Sequence, residues 1–138
     1  MFEYIHRVQF YETDMMGIVH HGNYLRFCEE ARVAWAMQNK LLYWDKPEGA
    51  SAFAVVKTEV SHLAPCRFGD ALRIEVQAKL VRVRIVFEYK LWKEETKVAE
   101  CRTWHVSLDQ NLRPERPAPQ TVSIMGNMAW NETWLSSL

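Results

Sequence analysis

A chain of 138 residues that is 49% hydrophobic and 25% charged has the makings of one ordinary globular domain, spanning residues 1–138 and long enough to bury a core. Its 17 basic and 17 acidic side chains cancel, which argues against nucleic-acid binding and against a polybasic membrane role. No stretch approaches the roughly 18 consecutive apolar residues of a membrane span, and strand-like sequence begins at once, so neither a span nor a signal peptide is expected and the cytoplasm is the expected location.

Residues 2–10 alternate, with Phe2, Tyr4, His6, Val8 and Phe10 on one face and Glu3, Arg7 and Gln9 on the other, the pattern of a half-buried strand. A polar stretch follows, in which Thr13 and Asp14 precede Gly17, a residue that bends the chain without a Cβ penalty. His20, His21 and Gly22 lead into Asn23, whose side chain suits it to cap a helix. From there Tyr24, Phe27, Cys28, Ala31 and Trp35 recur at the spacing of one helical face, while Arg26, Glu29, Glu30 and Arg32 fall on the others. This predicts an amphipathic helix to about Asn39. Leu41 to Ser51 holds Pro47 and Gly49 and reads as a loop, in which Trp44 is read as packing against the helix end, with a lid or a subunit contact as the alternative.

Four more strands follow. Ala52 to Ala64 carries Val56, Thr58, Val60 and His62 on one face. Ala71 to Arg82 sets Leu72, Ile74, Val76, Ala78 and Leu80 against Arg73, Glu75, Gln77 and Lys79. Arg84 to Lys93 turns Ile85, Phe87, Tyr89 and Leu91 inward; Lys97 to Asp109 places Val98, Trp104, Val106 and Leu108 opposite Ala99, Cys101 and His105. Pro65 and Gly69-Asp70 mark one turn, and Glu94 to Thr96 is hairpin-sized. The tail from Gln110 carries Pro114, Pro117 and Pro119, which argues against regular structure there, and Met125 to Leu138 has the makings of a short terminal helix. One long helix after the first strand, then four strands on short turns, predicts an α+β fold: a five-stranded antiparallel sheet with the helix on one face. Such a sheet has open edges, so a homo-oligomer is expected.

Cys28, Cys66 and Cys101 are an odd number at wide spacing, so reduced, partly buried thiols are expected rather than disulfides or a zinc site. His20 and His21 do not suggest a metal, because adjacent side chains point apart and no third ligand stands at a sensible spacing; neither metal nor cofactor is expected. His62 and His105 read as hydrogen-bonded structural residues. The chemistry concentrates between Tyr11 and Arg32. A helix start offers unpaired N–H donors and a partial positive charge, which stabilise an oxygen gaining negative charge, and Asp14 is near enough in sequence to put a carboxylate beside it. Alone, an Asp ahead of a helix is more often a turn former.

The run YETDMMGIVHHGNYLRFCEE resembles the signature of hot-dog-fold acyl-CoA thioesterases of the 4-hydroxybenzoyl-CoA thioesterase and YbgC-like branch, through Tyr11, Glu12, Thr13, Asp14, Gly17, Ile18, Val19, His20, His21, Asn23, Tyr24, Phe27 and Glu29. The pattern fixes many positions, and the strand plan extends the likeness to about Pro119. The resemblance implies a sheet wrapped around one long central helix, and a dimer with a continuous sheet, commonly doubled to a homotetramer, with active sites between subunits. It implies hydrolysis of an acyl-CoA to free acid and CoA, with Asp14 as nucleophile or general base, the backbone N–H at His21 polarising the carbonyl, and the His21 side chain orienting Asp14, water or substrate. Tyr11, Thr13, Gly17, His20, Gly22, Asn23 and Tyr24 are the substrate-binding candidates it brings. Arg67, Arg82, Arg84 and Lys90 could meet the phosphates of coenzyme A, the Arg82 and Arg84 pair being preferred. Met15, Met16 and His20 stand where the family carries other residues, which points to a reshaped acyl pocket. An acyl carrier protein as the alternative carrier, a dehydratase or hydratase of the same fold, and a non-catalytic acyl-CoA binding module are the competing readings; the Thr-Asp pair argues against the dehydratase.

Overall fold

The computed structural model describes residues 1–42 and 53–138. β1 runs over Phe2–Arg7 and ends three residues sooner than the alternation suggests. The reason is a single 3-10 turn at Phe10–Glu12, closed by the Glu12 carboxylate, which accepts the Gln9 backbone N–H at 2.7 Å. That turn swings Phe10, expected to face inward, out to 75% exposure, while Val8 stays fully buried.

α1 spans Asn23–Gln38 and buries Tyr24, Phe27, Cys28, Ala31 and Trp35, the face its periodicity marks. β2 (Phe53–His62), β3 (Ala71–Val81), β4 (Arg84–Lys93) and β5 (Thr96–Leu108) follow. All pair antiparallel in the order β1-β3-β4-β5-β2, so the strand that follows the helix is carried to the far edge. The expected strand from Ala52 and the loop with Trp44 lie partly or wholly outside the described residues.

The proline-rich tail differs from expectation. β6 (Pro114–Glu115) adds a sixth strand against Ser107 and Leu108 of β5, and α2 (Pro119–Met125) is a second helix. Both tolerate proline for stated reasons: an edge strand can turn its missing donor outward, and Pro119 sits in the first helical turn, where no intrahelical N–H is needed. The terminal helix expected beyond Met125 does not form. Residues 127–138 instead lie as a strap on the sheet face away from α1. There the Gln77 amide exchanges two hydrogen bonds with the backbone of Asn131, and Glu100, fully buried, accepts from the Ser136 and Ser137 amides and from Lys97 Nζ.

The core lies between α1 and the inner sheet face, where Leu72, Ile74, Phe87, Tyr89, Leu91 and Cys101 are buried. Trp35 meets Phe87 edge-on at 4.9 Å. Cys28, Cys66 and Cys101 are buried as free thiols, and burial, then the Cys101 thiol, push the Cys28 pKa well up. No helix among the described residues is long and apolar enough to cross a membrane.

Candidate active site

The loop between the 3-10 turn and α1 is closed on itself by backbone bonds. Thr13 pairs with Val19 as an isolated bridge, Asp14 N–H donates to Ile18 O at 2.9 Å, and Gly17 N–H donates to Asp14 O at 3.0 Å. Gly17 takes φ +78°, a conformation that an L side chain adopts only at a cost. Asp14 Oδ1 accepts the Met16 N–H at 2.9 Å, an Asx turn that fixes the carboxyl plane. Thr13 is spent locally, its hydroxyl donating to Phe10 O at 2.7 Å.

Glu12 ties this loop to the helix. Its carbonyl accepts the His20 N–H at 3.0 Å and Asn23 Nδ2 at 2.8 Å. Asn23 is therefore the first helical residue rather than the cap: its side chain is taken by Glu12, and Gly22 holds the N-cap position without a side-chain bond. A Cβ on Gly22 would press on the His20 ring at 3.2 Å, and His20 Nδ1 accepts the Gly22 N–H at 3.1 Å. The His21 backbone N–H meets no acceptor among the described residues, and it stands at the positive end of α1.

Asp14 lies on two clefts. One, of about 460 Å³, is lined by Asp14, Ile18, Val19, His21, Tyr24 and His62, with the Leu63 to Pro65 turn closing it. The other, of about 390 Å³, is lined by Tyr11, Thr13, Asp14, His20, Gly22, Asn23 and Arg26. Met15 and Met16, expected beside the acyl pocket, line neither; the Gly17 turn points them into solvent, Met16 at 77% exposure. Tyr24 is buried with its hydroxyl 3.3 Å from Cys66 Sγ, and burial, then that contact, push its pKa up.

His62, read from sequence as structural, belongs to the first cleft. Its ring meets Tyr24 edge-on at 4.9 Å and lies 6.4 Å from the His21 ring, and burial, then the charge of His21, hold its pKa down. Only the pairing of β2 at the far sheet edge brings it there, which sequence spacing does not carry. The His20 and His21 rings, expected to point apart, lie tilted with centroids 4.3 Å apart. Among the described residues no three His, Cys, Asp or Glu side chains are placed to hold a metal ion.

Arg82 and Arg84 do not join Asp14 within the chain. β2 pairs with β5 from Phe53 beside Ser107 to His62 beside Ala99, and Arg84 stands across from Val106. The two-residue turn that holds Arg82 (φ 58°) is thus at the Phe53 end, and the Asp14 cleft at the His62 end. Arg84 lines a separate groove of about 410 Å³ with Lys79, Arg102, Trp104 and Trp130. Of the other cations, Lys90 lies over Trp134 of the strap, while a Cβ on Gly17 would lie 3.6 Å from the Arg67 guanidinium.

Sequence reasoning overlooked the polar cluster beneath the loop. His6 Nε2 lies 2.8 Å from Glu12 Oε1 and its Nδ1 lies 2.7 Å from Glu30 Oε2. The signal was present in the strand alternation, which turns His6 inward, where a buried imidazole needs partners.

The sequence profile of the Thioesterase-like superfamily matches residues 8–125. A 1,4-dihydroxy-2-naphthoyl-CoA hydrolase of Synechococcus elongatus is 31% identical over 116 residues, covering 82% of this chain and 85% of that one. The acyl-CoA thioesterase YbgC of Helicobacter pylori is 32% identical over 77 residues, 55% of each chain. A solved 1,4-dihydroxy-2-naphthoyl-CoA thioesterase from Synechocystis has a TM-score of 0.80 at 21% identity, covering 91% of this chain and 96% of that one, which is a likeness of fold. The architecture is the hot-dog fold, here with six strands and two helices among the described residues.

Proposed function

The chain belongs to the thioesterase-like superfamily, and from that premise we propose that it is an acyl-CoA thioesterase, releasing a free carboxylic acid and CoA at the cleft shared by Asp14 and His21. The observation that carries this is the placing of a half-buried carboxylate, with one oxygen fixed by the Met16 N–H, on the same cleft as the residue whose backbone N–H opens α1. Oδ2, which meets no hydrogen-bond partner among the described residues, is then free to act. As general base it takes a proton from water while the water oxygen attacks the thioester carbon; as nucleophile it forms a mixed anhydride that water then hydrolyses. In both routes the carbonyl oxygen gains negative charge, and the His21 N–H and the positive end of α1 offset it. The C–S bond breaks and the CoA thiolate departs, a good leaving group that needs little acid assistance.

Ile18, Val19, Tyr24 and Leu63 give the cleft an apolar wall for the acyl group, and His21 and His62 a polar one. The outer edge of β2, where Val55 and Val56 are 48% and 49% exposed, supports a homo-oligomer in which a second copy extends the sheet.

Thiol release from a panel of acyl-CoAs, followed with a thiol-reactive dye, tests the assignment. Asp14→Asn is expected to lower kcat by about two to four orders of magnitude while CoA still binds. Turnover that ignores Asp14 would overturn the role of that residue. Binding of CoA without turnover of any ester would favour the carrier-protein reading or the binding module.

A further inference from the structure

The cluster of His6, Glu12 and Glu30 joins three elements: β1, the 3-10 turn and α1. Glu12 is 6% exposed and does two jobs. Its carboxylate accepts the Gln9 N–H and faces His6, while its carbonyl holds the His20 N–H and Asn23 Nδ2. Wherever Glu12 sits, Asp14 leaves the turn two residues later and α1 starts against it. Glu30 lies on α1 and His6 on β1, with the His6 ring tilted by 30° over Phe27 at 4.2 Å. Tyr4, beside His6 on the same strand face, has its phenol pKa raised by burial and by the neighbouring Glu30. The two ring nitrogens of His6 thus each face a carboxylate oxygen, one from the turn and one from α1.

Resting on the thioesterase reading, we propose that His6 is a positioning residue for hydrolysis: by bridging Glu12 and Glu30 it locks the Asp14 loop to α1. Without His6 the Glu12 carboxylate is a buried charge short of a partner and swings toward water, moving the Glu12 carbonyl and with it the distance from Asp14 to the His21 N–H. A displacement of about 1 Å at such a site costs on the order of 100-fold in rate.

The test measures kcat, KM and residue-resolved amide exchange for the wild type, His6→Gln, Glu30→Gln and the double variant His6→Gln with Glu12→Gln. For His6→Gln, kcat is expected to fall about 10- to 100-fold with KM within about threefold. The His20 amide is expected to exchange at least about tenfold faster while Tyr89 in β4 is unchanged. Glu30→Gln, at a half-exposed position that tolerates change, is expected to show the same pattern more weakly, and it serves if His6→Gln does not fold. The double variant replaces the His6–Glu12 pair by an amide pair and is expected to recover part of the loss. Wild-type kcat and wild-type His20 exchange in both single variants would overturn the proposal, as would a loss of protection spread evenly through β4. If the wild type hydrolyses no thioester, the thioesterase reading fails, and the His20 exchange rate alone still decides whether His6 positions the loop.

Discussion

Gly17 stands at the tip of the loop that carries Asp14, and its φ of +78° is what an added side chain would resist, since the nearest atom to a Cβ is at an ordinary 3.6 Å. Gly17→Ala is therefore expected to cost about 1 kcal/mol in urea unfolding, from backbone conformation and not from a clash. An unchanged midpoint would mean that the loop relaxes without strain. Tyr11, Glu12, Thr13 and Asp14 show how far single residues were legible. Their types announce a polar, reactive loop. Which of them turns inward is settled by the 3-10 turn, and that turn depends on Glu12 reaching back to Gln9 and His6, contacts that no spacing rule displays. Tyr11 in consequence is 79% exposed and Glu12 6%.

At the scale of elements, α1 was readable because five apolar residues at helical spacing have no other way to share one face. The strap was not, because residues 127–138 bind the sheet through backbone groups and cation–π contacts, such as Lys79 over Trp130 and Lys90 over Trp134, which leave no periodic trace. Glu100 anchors it. Burial pushes the Glu100 carboxyl pKa up, but hydrogen bonds from Lys97 and from the Ser137 and Ser136 amides outweigh burial and hold it below its ordinary 4.5. A depressed carboxylate contributes its stability above that ordinary value and loses it as pH falls through the folded one, so the strap is expected to release on acidification. Glu100→Gln turns an amide donor toward donors that a carboxylate satisfied. Faster proteolysis within residues 127–138, with thioester turnover intact, is the expected outcome; a strap as protected as in the wild type would show that Glu100 is not its anchor.

For the whole molecule, acid stability hangs on a buried chain of polar groups: Arg32 donates to the Tyr89 hydroxyl at 3.1 Å, Tyr89 meets Thr103 at 2.9 Å, and Thr103 meets His105 Nε2 at 2.8 Å. Burial, then the charge of Arg32, hold His105 down to about 3 from an ordinary 6.5. The unfolded chain therefore takes up a proton that the fold refuses. Stability is complete above 6.5 and drains away as pH falls toward 3, by about 3 kcal/mol at about pH 4.5. His62, also held down by burial and by His21, adds to the same slope. Urea midpoints across this range are expected to fall with pH in the wild type and to flatten in His105→Gln; equal slopes would assign the loss elsewhere. The sheet order was legible only in outline for a related reason. Alternation tells which residues face the core, while the choice of β2 for the far edge depends on the whole assembly, and with it go the entry of His62 into the cleft and the exclusion of Arg82 and Arg84.

The superfamily profile stops at residue 125, just where the chain turns to cross the outer face of the sheet. Gln77 is matched to Asn131, Lys79 to Glu132 and Glu100 to Ser136 and Ser137. Cutting the chain after residue 126 would therefore strip the Gln77 amide and the buried Glu100 carboxylate of these partners, so the sheet face and the strap are matched halves of one surface.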